Sequence, residues 1–290
     1  GSNDGSLQDF YRYMIDAGGM DFGASTDHQG GAWHYWWWYT LKMTDMHHIP
    51  GTYTAIHGFE RSAIFPNGHR NVFFSKRSDA MVIPFFLKAG AQGFGIPRDA
   101  MGDEPGIGTG ALVENDTKLL YEEIRRRNAI AISHTSGTRM GTDWRDNDPE
   151  LEPVVEIFQG ARTNYEALDA PHVAEPSKDG PHVARAGYQP EGMVKNAWQK
   201  GYKLGIITSS DHNSTHISYA MVYTPDTSPK GILDAIRKRH TYGAMDNIIL
   251  DVRMGNAFMG DEVRATKPRP IRIKVRGTKT IASVVELRDS

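Results

Sequence analysis

Apolar positions along this chain change their spacing several times, and each change marks a predicted element. Ser6 is placed to cap a helix over Leu7–Ala17 that Gly18-Gly19 closes. Met20–Thr26 then reads as a short buried strand, and the aromatic-rich stretch Trp33–Met46, too long for a strand, as a second helix. Tyr53–Phe59 is a strand ending at Glu60, and Arg70–Ser75 is another that begins just after His69. Phe85–Pro105 is rich in Gly and Pro and reads as loop. Asp116 is placed to cap a helix over Thr117–Arg127, acidic early and basic late, as the helix dipole prefers. Ala129–Ser133, Val154–Phe158 and Leu204–Ser209 complete a set of apolar strands, and Gly192–Lys200 and Pro229–Arg239 are further helices.

The long polar segment Ala167–Pro190 holds the tetrapeptide PHVA twice, starting at Pro171 and Pro181, which is too few copies for a repeat architecture. From Asn247 the pattern becomes purely strand-like, over Ile248–Met254, Ile271–Gly277 and Ile281–Leu287. The expectation is therefore an α/β barrel over residues 1–246 and an antiparallel β module, cut short, over 247–290.

Several of these strands end in residues with chemistry. Met20–Ser25 runs into Thr26-Asp27-His28, Tyr53–Phe59 into Glu60, Ala129–Ile132 into Ser133-His134, and Leu204–Ser209 into Asp211-His212. In an α/β barrel those ends share one face, where active sites form. Imidazole nitrogens and carboxylate oxygens gathered there suit a hard or borderline divalent ion, and carboxylates can bridge two ions.

Each residue also has an ordinary role open to it. An Asp or His after a strand commonly forms a turn or caps a helix. Glu60 could pair with Arg61 or Arg70, and His134 could cap a loop. Arg162 could grip an anionic substrate through its planar fork, or pair with Glu156 or Glu166. His34, His47, His48 and His57 read as structural or surface residues, and His172 and His182 as part of a solvated loop. The Trp/Tyr patch reads as helix packing rather than a substrate platform.

Composition narrows the chemistry. The chain has 290 residues and no cysteine, so disulfides and thiolate ligands are excluded and any metal must be held by His, Asp and Glu. The absence of cysteine leaves the compartment open. A formal net charge of −2 argues against a nucleic-acid or membrane-surface partner, and no apolar run approaches the length of a membrane span.

With these residues in place the chain resembles the PHP superfamily, named for polymerase-associated and histidinol-phosphatase domains, and within it a long branch known as a domain of unknown function. The matching stretches are DFGASTDH (Asp21–His28), GFER (Gly58–Arg61), GHRNVFF (Gly68–Phe74), AISHTSG (Ala131–Gly137), VEIFQGARTNYE (Val155–Glu166), GIITSSDHNSTHISYA (Gly205–Ala220) and RHTYGAMDNIILDVR (Arg239–Arg253). The resemblance implies a distorted TIM-like (β/α)7 barrel with two or three divalent ions, Zn, Mn or Fe, at its strand ends. The ligands it implies are Asp4, His28, Glu60, His69, His134, Asp211 and His212.

Two departures stand out. The family opens with His-x-His before Ser-Asp-Gly; here Asn3-Asp4-Gly5 resembles the end of that pattern and the His-x-His is absent, as expected if the sequence begins a few residues late. Where many relatives carry Asp-x-His, this chain has Asp211-His212-Asn213, so either His212 or His216 supplies the imidazole, and His212 is preferred. Neighbouring residues of an extended tip point apart, so Asp211 and His212 share a site only if the backbone turns there.

The function expected is metal-dependent hydrolysis of a small anionic substrate, most simply a phosphoester. A divalent ion would activate water, Arg162 would neutralise charge, and Asp211 or His134 would carry the leaving-group proton. The alternatives are hydrolysis of a non-phosphate ester, amide or lactone by the same site, and a degenerate domain that binds without catalysis.

Overall fold

Strand formation follows the β-branched and aromatic stretches, and strand direction decides which of their ends meet. The computed structural model describes residues 5–29, 34–91, 111–160, 166, 187–212 and 218–286. Helix α1 (Leu7–Arg12) starts at the Ser6 cap, whose hydroxyl accepts from the Asp9 amide at 3.1 Å, and loosens into a π-helical turn over Tyr13–Ala17. Then come β1 (Phe22–Gly23), α2 (His34–His47), β2 (Thr54–Ala55), β3 (His57–Ser62) and β4 (His69–Phe74). The middle of the chain gives α3 (Asp116–Arg126), β5 (Ile130–Ser133), β6 (Val154–Gln159), α4 (Val194–Gln199) and β7 (Gly205–Ser209). The last part gives β8 (Tyr219–Val222), α5 (Pro229–Arg237), β9 (Thr241–Ala244), β10 (Ile249–Met254), β11 (Ala257–Phe258) and β12 (Ile271–Arg276). Among the described residues no helix is long and apolar enough to cross a membrane.

The central sheet has the order β3-β4-β5-β6-β7. Strands β5, β6 and β7 are parallel, whereas β4 runs antiparallel to both β3 and β5. The segment leading out of β1 lies alongside β3: the Glu60 amide donates to the Asp27 carbonyl at 3.0 Å, and His28 and Glu60 form a parallel bridge. At the other edge the antiparallel β8–β9 pair, joined through α5 and not predicted by the apolar pattern, seats on β7 through a side chain. Thr208 Oγ1 donates to the Tyr219 carbonyl at 2.8 Å and accepts from the Ala244 amide at 3.2 Å. The strands of the described residues form four sheets, of two, three, five and two strands.

Alternation along β5 to β7 separates two cores. Ala129 and Ala131 face α3 and pack with Leu120, Tyr121, Ile124, Phe59, Val72 and Phe74. Ile130 and Ile132 face the other way, with Val154, Ile207 and the α5 residues Ile232, Leu233 and Ile236. Val155 and Leu204 point outwards again, onto Val194 and Ala197 at α4. Each large aliphatic side chain buried this way contributes about 1.5–3 kcal/mol. The face carrying Ile132, Val154 and Ile207 continues, towards the sheet edge where β3, β5 and β7 end, into polar residues.

Three local expectations are corrected. Asp116 does not cap α3 but opens it, and both its oxygens bind Arg61, Oδ2 to Nη1 at 2.6 Å and Oδ1 to Nη2 at 2.8 Å. Met20–Thr26 yields only the two-residue β1, since its partner β2 is equally short. Residues 281–286 form no strand; the third strand of the C-terminal sheet is β11, so its order is β11-β10-β12. That sheet is tied to the body by Tyr223 Oη donating to the Leu250 carbonyl at 3.0 Å and Tyr242 Oη to the Ile248 carbonyl at 2.7 Å. Gly260, at φ 96°, lets the chain pass Arg239 where a Cβ would stand 2.3 Å from the Arg239 carbonyl oxygen.

Candidate metal centre

The antiparallel direction of β4 is what assembles the site. His69 is the first residue of β4, yet its partner in register is Ser62, the last residue of β3. A residue that precedes its strand in sequence thus lies level with residues that end theirs. Alternation places Ser62 and Glu60 on the same face of β3, and His134 follows directly after β5.

Glu60 is the hub. Its Oε1 lies 2.7 Å from His69 Nδ1 and 3.2 Å from His28 Nδ1, and its Oε2 is 3.9 Å from His134 Nε2. The Ser62 hydroxyl donates to Glu60 Oε1 at 2.8 Å and lies 2.7 Å from His28 Nδ1. Glu60, His28, His69 and His134 are all buried. Burial pushes the Glu60 carboxyl up, but the imidazoles of His28 and His69 outweigh it and hold the group well below the ordinary carboxylate range. Glu60 is therefore an ionised acceptor at neutral pH.

The tip of β7 reaches the same cluster. The backbone turns at Asp211, φ 61°, as a shared site requires. The His212 ring lies at 25° to that of His28 with centroids 6.2 Å apart, and His212 Nε2 is 3.4 Å from Asp211 Oδ1. Asp27 stands at the rim, its side chain accepting from Ser25 Oγ at 3.3 Å. Asp4, Arg162, His172, His182 and His216 lie outside the described residues. Glu166, one suggested partner of Arg162, accepts from Ser136 Oγ at 2.8 Å and from the Val194 amide at 2.7 Å. His47 stacks on Tyr11 at 4.9 Å and His57 pairs with Asp45 at 3.2 Å, both away from the cluster, as structural histidines do. In the aromatic helix, Trp37 packs against Phe59 while Tyr35, Trp36 and Trp38 are exposed, so only part of that patch serves the packing expected of it.

The donor set fits a divalent cation. One ligand atom from each of Glu60, His69 and His134 falls within 4.8 Å of the others. His69 Nε2 is buried with no hydrogen-bond partner, an arrangement that costs about 1–3 kcal/mol unless something occupies its lone pair or takes its proton. A nitrogen and oxygen set without thiolate is what zinc, manganese or iron accept.

Sequence reasoning missed two residues beneath this cluster. A β-bulge in β6 pairs Glu156 with Ile207 and Phe158 with Thr208, leaving Ile157 over, so Glu156 and Gln159 fall on the same face despite an odd spacing. Glu156 accepts from Ser209 Oγ, and Gln159 Nε2 lies 2.8 Å from His134 Nδ1. Burial drives the Glu156 carboxyl well above its ordinary value; the Ser209 and Gln159 contacts oppose the shift, and the charges of Asp211 and Glu60 add to it. A raised native pKa means that the folded state holds this proton more tightly. Its stabilising contribution is complete below the unfolded value and is lost as pH rises through the native one. In chelator-treated protein, Glu156→Gln should therefore gain on the wild type in urea unfolding as pH goes from 5 to 9. A difference that does not change with pH would refute this.

Comparison with known sequences gives a limited result. A family model described as "Protein of unknown function (DUF3604)" matches residues 10–94, less than a third of the chain. That span holds His28, Glu60 and His69. No curated protein matches.

Proposed function

We propose that this chain is a metal-dependent hydrolase of the PHP type on a distorted barrel, acting most simply on a phosphoester. The observation that carries the reading is the buried Glu60 carboxyl facing His28, His69 and His134 at one end of the central sheet. Four strand ends converging on a carboxylate are more than fold stability asks for, since a buried charge of this kind is costly unless compensated.

Glu60, His69 and His134 would hold an ion, and His28, Asp211 and His212, gathered at the same cluster, would be the ligands of a second. A divalent ion there supplies a water of pKa near ~7 and positive charge for the substrate oxygens. The chain's own residues do the rest. Ser62 fixes the orientation of Glu60 and His28 through its hydroxyl. Asp211, on its left-handed turn, would take or return the leaving-group proton.

Dialysis against a chelator should abolish hydrolysis of a generic aryl phosphate, and zinc or manganese should restore it. Activity that survives metal removal would overturn the proposal. The same assay with carboxylic esters and amides separates the phosphoesterase from other hydrolases of this design.

A further inference from the structure

The exposed aromatic face of α2 has no part in the reaction outlined above. Tyr35, Trp36 and Trp38 are 63, 57 and 47% exposed. With Tyr39 they form one cluster: the Tyr35 ring centroid lies 5.7 Å from Trp36, 5.8 Å from Trp38 and 6.3 Å from Tyr39, and Trp36 lies 6.1 Å from Tyr39. Packing does not account for the exposed rings, because α2 reaches the core through Trp37, Tyr39, Met43 and Thr44.

Two contacts fix where this face lies. Asp45, near the end of α2, meets His57 at the start of β3, with Oδ1 3.2 Å from Nε2. Trp37, in the first turn, meets Phe59 with ring centroids 6.1 Å apart. The helix therefore runs back along β3, and its first turn stands level with the end of the strand that carries Glu60 and Ser62. Trp36 shares a helix stripe with Thr40, Met43 and Thr44, which are all buried, so that stripe runs out past the core at this same end. Phe59 and Glu60 point to opposite faces of β3. Packed layers lie about 10 Å apart, so a substrate held at Glu60 meets the rings only by extending past the strand end by at least about that distance.

Composition selects the ligand. Among the described residues, Tyr35 Oη, Trp36 Nε1, Trp38 Nε1 and Tyr39 Oη make no hydrogen bond. A hydrocarbon or acyl chain laid over them would strip their water and leave each unpaired, at about 1–3 kcal/mol apiece. A pyranose ring offers C–H faces to the aromatic rings and hydroxyls around its edge to these groups. Charge does not point to an anionic membrane: Lys42 Nζ stands over Trp38 at 5.3 Å, and Arg77 is paired with Asp45.

We infer that the Tyr35, Trp36, Trp38 and Tyr39 face is a subsite for a pyranose unit of the substrate, remote from the bond that is cut. Its place in the substrate rests on the metal-centre reading proposed above; its hold on the sugar does not.

The test titrates the full chain, with and without chelator treatment, with maltohexaose, cellohexaose and chitohexaose by calorimetry. At least one should bind. Trp36→Leu and Trp38→Ala should each weaken that binding about tenfold, with unfolding midpoints close to the wild type's, while Trp36→Tyr, which keeps a ring and a polar edge, should retain most of it. Binding of none of the three glycans, or equal binding by Trp36→Leu and Trp36→Tyr, overturns the inference. So does a dimer in sedimentation that Trp38→Ala dissolves, since the face would then belong to a second copy. If chelator-treated protein binds the glycan as described but hydrolysis proves independent of metal, the metal reading fails and the sugar subsite stands.

Discussion

Glu60→Gln is expected to remove Zn2+ or Mn2+ binding by more than ~100-fold while the fold persists. The lower bound follows from scale: loss of an outer partner of a ligand already costs 10–100-fold, and Glu60 faces three imidazoles at once through its two oxygens. Glutamine keeps the volume and one acceptor, so Ser62 can still donate to it. What disappears is the negative charge, and with it the electrostatic reason for a divalent cation to enter a buried site. Elemental analysis of the purified variant, with calorimetric titration of the chelated protein, reads the loss. Circular dichroism and the unfolding midpoint check that the fold remains. If Glu60→Gln bound the ion as tightly as the wild type, the carboxylate would have a purely structural role and the site would lose its hub.

How much of this could be read in advance depends on the range of the interactions involved. Glu60, His28, His134 and the Asp211-His212 pair were legible because each ends an apolar run, and a run of that kind announces a strand by itself. His69 differs in that it opens its strand instead of ending one. Only the antiparallel direction of β4, a property of pairing and not of local sequence, brings it level with Ser62. Gln159 was invisible for a similar reason. Counting by twos from Glu156 selects Phe158, and the bulge that overrides the count has no composition of its own. The partners of Arg61 and Arg70 lie 55 and 82 residues away, out of reach of any spacing argument. The β8–β9 pair was missed because its strands are only four residues long, β8 is half-buried throughout, and both are anchored by the side chain of Thr208 rather than by an apolar stripe.

Those distant ion pairs lead to the second large effect, in Glu152→Ala. Three of the ligand candidates, Glu60, His69 and His134, have a strand neighbour that turns to the opposite face and is fixed there. Arg61, next to Glu60, is clamped by Asp116; Arg70, next to His69, is held by Glu152 through Nε at 3.2 and 3.1 Å. Ser133, next to His134, donates to the same Glu152, as does Tyr121 Oη. One buried carboxylate therefore ties β4 to β5 directly behind two metal-ligand candidates. Truncating it strands the Arg70 guanidinium, which is buried and stays charged, and leaves two hydroxyls unpaired. Loss of one partner from a buried pair costs about 3–5 kcal/mol, which the midpoint of urea unfolding should report. Replacing both charges, in Arg70→Leu/Glu152→Leu, should cost less than the single truncation, because no charge is then left buried without a partner. If the single and double variants were equally stable, the pair would be contributing packing alone. Zn2+ affinity separates support of the site from support of the fold. At urea-free conditions where Glu152→Ala remains folded, its affinity should still fall, because Arg70 and Ser133, the neighbours of His69 and His134, lose the carboxylate that braces them from behind.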